Sequence, residues 1–152
     1  MTSRALCLRV ILGGRYSHAH VDAQRIRDPA TGRTFALADA WDNVVGSGRL
    51  LYQLDEPGHA VLYDGASQGF RAPNLSDLTR WDADWGLELP SPGVKPEQFL
   101  SLEVGGRVRY DRFAAEATFF HTFIDEMIVR VPTGGTNQGV PVVAKENSGE
   151  GY

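Results

Sequence analysis

The sequence predicts an all-β chain: about six antiparallel strands running up and down as an incomplete segment of a transmembrane β-barrel. Three observations predict it. Hydrophobicity repeats with a period of two along most of the chain, several of the alternating blocks reach ten residues, and the connections form two unlike rims. Tilted strands need about 9–11 residues to cross a bilayer, so these blocks are long enough.

The N-terminus carries an arginine and then apolar residues, as a secretory signal does. Arg9 interrupts that stretch, and Gly13-Gly14-Arg15 stands where a cleavage site should be, so the segment reads as a strand. In this first strand Leu6, Leu8, Val10, Leu12 and Tyr16 alternate with Cys7, Arg9, Ile11, Arg15 and Ser17. The second, over residues 44–54, sets Val44, Leu50, Tyr52 and Leu54 opposite Ser47, Arg49 and Gln53. Residues 61–70 alternate less cleanly and form the third. The fourth is the clearest: Leu100, Leu102, Val104, Val108 and Tyr110 against Ser101, Glu103, Arg107 and Arg109. The fifth begins at Phe113, with Ala115, Ala117, Phe119 and Phe123 facing away from Glu116, Thr118 and Thr122. A sixth opens at Val142, and the chain stops at Glu150-Gly151-Tyr152 without a capping turn, so that end reads as cut.

The connections at residues 55–59 and 111–112 are short and polar, as hairpin turns are. Those at about residues 26–42, 71–98 and 131–141 read as long loops rich in Pro, Gly, Asp and Trp. Charged residues fall opposite the apolar face, which a soluble β-sandwich would also show. Strand length, the unlike rims and the tyrosines favour the membrane. Tyr16, Tyr52, Tyr63 and Tyr110 are expected on the apolar face near strand ends, where an aromatic girdle belongs.

Composition narrows the function. The 152 residues carry 15 Lys plus Arg against 19 Asp plus Glu, a net charge of −4 with no basic stripe, so no nucleic-acid partner is expected. The single cysteine, Cys7, excludes an internal disulfide and a multi-cysteine zinc site. No apolar run is long enough for a transmembrane helix. No cofactor and no metal site are expected.

Three motifs carry possible chemistry. Gly65-Ala66-Ser67-Gln68-Gly69 matches the G-x-S-x-G elbow of serine hydrolases, but Pro73 follows where a helix must begin, and His121 is the only downstream histidine. A soluble serine hydrolase using Ser67, and a soluble β-rich binding module, are the alternative readings. His18, His20 and Asp22 share one strand face, a spacing some metal-binding barrels use, yet no second histidine motif follows, so exposed histidines at a strand exit are expected. Trp81, Asp82, Asp84 and Trp85 sit in the longest loop, where stacking surfaces and carboxylates suit either ligand contact or rim packing. Ser76 is the expected cap of a one-turn helix through Leu78.

The run from Tyr63 through Gly69-Phe70-Arg71-Ala72-Pro73 to Arg80 resembles TonB-dependent outer-membrane receptors. Lys95-Pro96-Glu97 before the next strand, Leu102-Glu103-Val104-Gly105, Phe119-Phe120, Ile124-Asp125, Glu146-Asn147-Ser148-Gly149 and the upstream Gly13-Gly14-Arg15-Tyr16 follow in the family's order, so the resemblance covers nearly all of residues 1–152. In the resembling segment Gly69 lets the strand bend at the rim and Pro73 ends ladder pairing. Arg71 is placed to reach a carboxylate or carbonyl at the mouth, and these residues read as structural. The resemblance implies non-enzymatic, active uptake of a scarce solute such as an iron–siderophore, cobalamin or a glycan. It implies location in the outer membrane of a Gram-negative-type bacterium, contact with outer-membrane lipid, and energy from a TonB-type partner acting through an N-terminal part. No plug domain and no partner-binding box are read in this chain. Six strands do not close a barrel, since the smallest have about eight and plugged transporters about 22, so the expectation is a piece of a receptor barrel.

Overall fold

A computed structural model describes residues 7–28, 31–55, 58–79 and 87–151. Six long strands form one antiparallel up-and-down sheet: β1 (Cys7–Arg27), β2 (Thr34–Gln53), β3 (Ala60–Arg71), β5 (Glu97–Tyr110), β6 (Phe113–Asn137) and β7 (Val140–Gly151). The chain leaves β3 through a one-turn helix α1 (Leu75–Thr79) and a two-residue strand β4 (Leu87–Glu88), which pairs parallel with the far edge of β7. The sheet order is β1-β2-β3-β5-β6-β7-β4, and the sheet is open.

The register separates two solvents. Val10–Leu50, Leu8–Tyr52, Val104–Phe119, Leu100–Phe123 and Tyr110–Phe113 are cross-strand pairs on one face. Leu12, Val44 and Phe119 on that face are 79%, 75% and 70% exposed, so its large apolar side chains point away from the protein. Between neighbouring strands of the belt the backbone groups are paired strand to strand, the condition for lying in hydrocarbon, while the outer edge of β1 is open. The opposite face carries Arg9, Arg49, Glu103, Arg107 and Glu116. None of the described helices is long and apolar enough to cross a membrane, a statement that does not concern strands.

Two of the expected long loops are strands. Residues 34–43 continue β2, and residues 131–137 continue β6 to a tight turn at Gln138-Gly139, both with positive φ. These extensions carry little alternation because, beyond the apolar belt, both faces meet water. Pro132 and the glycines after it look like chain breakers but sit at a register shift between Pro132 and Thr136. At 25 residues β6 is about 80 Å long, far more than a crossing needs. The turns after β2 and β5 are short, as the sequence predicts.

Tyr63 is the exception among the tyrosines: it lies on the polar face, across from Gly105. Ser76 is not the helix cap. Asn74 is: its Oδ1 accepts the Asp77 N–H at 2.9 Å while Asp77 Oδ2 accepts the Asn74 N–H at 3.1 Å, a reciprocal capping box.

Residues 72–79 and 87–96 fold against the polar face. Through β4 they reach β7 and through α1 they touch β1, so the sheet curves toward that face. Among the described residues most buried side chains gather here, Leu78, Leu87, Val94, Glu88 and Ser91, with Ile26 of β1 and Glu97 of β5; Val45 on β2 is buried as well. Val104→Arg, at the middle of the apolar belt, is expected to cost about 2–4 kcal/mol in a phospholipid bilayer, and Tyr110→Arg at its edge about 0–1. Denaturant unfolding from vesicles measures both, and equal costs at the two depths would contradict the membrane placement of this face.

Candidate functional site

The polar face is a lumen-type wall built from alternate residues of every strand. Arg49 on β2 reaches over β3 to Glu103 on β5, with Nε 2.7 Å from Oε1. The strand between them presents Gly65 at that level, and a Cβ there would lie 3.0 Å from the Glu103 carboxylate. Tyr63 likewise crosses β5 at Gly105 to reach β6, donating its hydroxyl to Glu116 Oε1 at 2.9 Å and meeting the Thr118 hydroxyl. A Cβ on Gly105 would lie 2.5 Å from the Tyr63 ring. Each glycine is a window through which a side chain spans an intervening strand. The Arg49 guanidinium stands 5.8 Å from the Tyr63 ring centroid, joining the two bridges. With Arg107 these groups line a concavity of about 330 Å³.

Above the apolar belt an ionic cluster holds the long loop to the wall. Arg71, the last residue of β3, donates to Glu97 Oε2 at 2.6 Å and to Asp77 Oδ2 at 2.9 Å. Glu97 also accepts the Ile128 N–H at 2.8 Å. Lys145 on β7 bonds Asp77 at 3.1 Å and Glu88 at 3.2 Å, and Arg130 on β6 meets Glu88 at 3.1 Å. Glu88 is 2% exposed; its two cationic partners satisfy what would otherwise be an uncompensated buried charge. The Lys145 N–H donates to Ser91 Oγ at 2.9 Å, and Asn147 clamps the backbone of Lys95 from both sides, accepting its N–H at 2.7 Å and donating to its carbonyl at 3.0 Å. The Arg71 hydrogen bond holds the Glu97 carboxyl below its ordinary range against the opposing effect of burial. For Asp77 burial works toward the neutral acid, but the Asn74 N–H and Lys145 outweigh it and its pKa is also lowered. Glu97 in turn raises that of Arg71.

In this frame Gly69 and Phe70 pair with Phe99 and Gln98 at the top of β3, while Ala72 and Pro73 carry the chain off the sheet before the Asn74 cap. Ser67 is not on a nucleophile elbow: residues 65–69 lie inside β3 and pair with β5 on one side. Ser67 shares its level with Ser101, whereas His121 pairs with Leu102 on the opposite face, so the one downstream histidine is turned away from Ser67. His18 Nδ1 lies 2.8 Å from Asp42 Oδ1, and His20 stacks on His18 at a centroid distance of 6.5 Å, all exposed above the belt. Among the described residues no group of three His, Cys, Asp or Glu side chains converges to hold a metal. Trp81, Asp82, Asp84 and Trp85 lie outside the described residues.

Glu88, Arg130 and Lys145 have no motif that marks them, because their partners are distant in sequence and meet only when the loop reaches β7. The two windows did leave a signal: glycines inside otherwise regular strands.

The sequence matches the family described as TonB dependent receptor-like, beta-barrel over residues 8–151. Two solved structures share the fold. One is a double mutant of the Serratia marcescens hemophore receptor HasR in complex with its hemophore HasA and heme, at 16% identity and a TM-score of 0.68 over 92% of this chain. The other is the copper transporter OprC, at 21% identity and a TM-score of 0.65 over 95% of this chain. The chain spans 27% and 22% of those proteins, about a quarter of their length. No curated protein matches the sequence.

Since Glu97 and Asp77 have lowered pKa values, the stabilisation they give is complete above the unfolded carboxylate range and is lost as the pH falls below about 4. Hydrogen exchange of residues 72–79 and 87–96 is therefore expected to accelerate between pH 5 and pH 3 more than that of β5. Arg71→Gln is expected to produce the same acceleration at pH 7; unchanged protection in that variant would remove the cluster as the loop's anchor.

Proposed function

Because the chain belongs to the TonB-dependent receptor β-barrel family, we propose that it supplies wall and outer rim to a receptor that takes up a scarce solute across the bacterial outer membrane. The observation that carries this reading is the pairing of an exposed apolar belt on one face with a charged, hydrogen-bonded face onto which the long loop folds. The belt suits outer-membrane lipid, and the folded loop narrows the mouth that a solute enters. Energy would reach the receptor from a TonB-type protein acting on a part of the receptor outside this wall. Among the described residues Ser67 is not paired with a histidine, and Arg49, Arg71, Arg130 and Lys145 are each engaged by a carboxylate.

Heme and copper accompany the two solved relatives, but fold likeness at this identity carries no solute to this chain. An iron–siderophore, cobalamin or a glycan fits the reading equally. Trp81, Asp82, Asp84 and Trp85 follow α1 on the loop and are proposed as solute contacts, since a stacking ring beside a carboxylate recognises polar or aromatic solutes.

Cell fractionation tests the location: the chain is expected with the outer-membrane fraction, and recovery in the soluble fraction without detergent would favour a soluble binding module instead. In the receptor that carries this chain, the double substitution W81A/W85A is expected to lower solute uptake at least tenfold with the amount of receptor unchanged. Uptake equal to the wild type would assign these tryptophans to packing.

A further inference from the structure

The wall carries one charge on its apolar face. Asp64 pairs with Leu50 of β2 on one side and with Val104 of β5 on the other, and Leu62 and Ala66 flank it along β3. Its carboxylate therefore points outward from the middle of the belt. Among the described residues it makes no hydrogen bond and no ion pair. A carboxylate facing hydrocarbon is costly, and ionisable groups persist inside a membrane where a partner answers them. Lipid headgroups do not reach it. Tyr52 of the girdle is level with Leu62, and the single methylene of an aspartate is too short to extend past that level.

The ground beside Asp64 is open. Gly14, Gly46 and Gly48 lie together on the same face of β1 and β2, and Ala66 continues this lane on β3. A Cβ on Gly46 or Gly48 would meet nothing closer than 3.5 Å, and one on Gly14 nothing closer than 4.0 Å. These glycines thus differ from Gly65 and Gly105, whose space a side chain of the wall itself occupies. They allow close approach to the backbone from the lipid side, as small residues do where proteins meet inside a membrane. Gln68 borders the lane, its Oε1 accepting the Gly46 N–H at 3.1 Å and its Nε2 left to donate.

We propose that this strip of β2 and β3 docks a second membrane-embedded protein, which lays a lysine or arginine against Asp64. Charge complementarity decides the occupant. Among the described residues the belt carries no lysine or arginine, because Arg9, Arg49, Arg107 and Arg109 all fall on the opposite face. The same strip of a second copy would bring no counter-charge, and lipid brings none at this depth. The inference rests on the receptor reading, which puts this face in the membrane, and goes beyond it by naming a lateral partner.

The test uses the receptor that carries this chain, in the outer membranes of the cells that make it. A photo-crosslinking benzoylphenylalanine at Leu102, the cross-strand partner of Ala66, is expected to join the receptor to one protein of constant mass. Asp64→Leu is expected to lower that yield about tenfold, and Asp64→Asn severalfold, with the amount of receptor unchanged. A second measurement needs no partner. In vesicles of pure phosphatidylcholine the purified Asp64→Leu receptor is expected to resist denaturant at least as well as the wild type. Crosslinks to lipid alone, a yield indifferent to Asp64, a crosslinked segment without a basic residue, or a wild type more resistant than Asp64→Leu in pure lipid would each overturn the proposal. Failure of the receptor reading shows separately, as recovery of the chain in the soluble fraction.

Discussion

The structure depends on one constraint: a strand has two faces, and here each face meets a different solvent while the backbone between them is paired strand to strand. The alternation of Leu100, Leu102, Val104 and Val108 with Ser101, Glu103 and Arg107 is the local form of that constraint, and the cross-strand pairs extend it over six strands. A one-residue slip anywhere would turn Arg49 and Glu103 toward hydrocarbon and Leu50 and Val104 toward water. Register is therefore held by the large cost of burying those charges in lipid, more than by any single hydrogen bond.

On the polar side the side chains can reach across strands, and they do so where glycine leaves room. Gly65 and Gly105 weaken their own strands, since glycine has no side chain to pack and more backbone freedom to lose. In exchange Arg49 reaches Glu103 and Tyr63 reaches Glu116, so that β2 is tied to β5 and β3 to β6 without adding a strand. These ties lie at the level of the belt, and the rim cluster repeats the device above it with Arg71, Glu97, Asp77, Lys145 and Glu88.

Much of this was legible in the sequence, and for a physical reason. Where one face meets lipid the alternation is strong, so the strand cores around residues 8–16, 44–54, 99–110 and 113–123 could be read with their faces. The antiparallel order and the two short turns followed from them. Above the belt both faces are wet, alternation fades, and the strands at residues 34–43 and 131–137 read as loops. Tyr63 was placed with the other tyrosines because its strand alternates poorly: Asp64 and Gln68 share the face of Leu62. The motif from Gly69 to Pro73 marked the rim, but the partners that complete it, Lys145, Glu88 and Arg130, come from chain segments up to about 70 residues away and are joined only by the fold.

The loop from β3 also has a mechanical meaning. It touches β1 through α1 and β7 through β4, the first and last long strands of the sheet. In the geometry of an arch it is the tie-rod: a chord that joins the two springing points and fixes the radius of the arc between them. A sheet so tied holds its curvature from within, by tension across its own hollow side, and does not need its two free edges to meet in order to be bent.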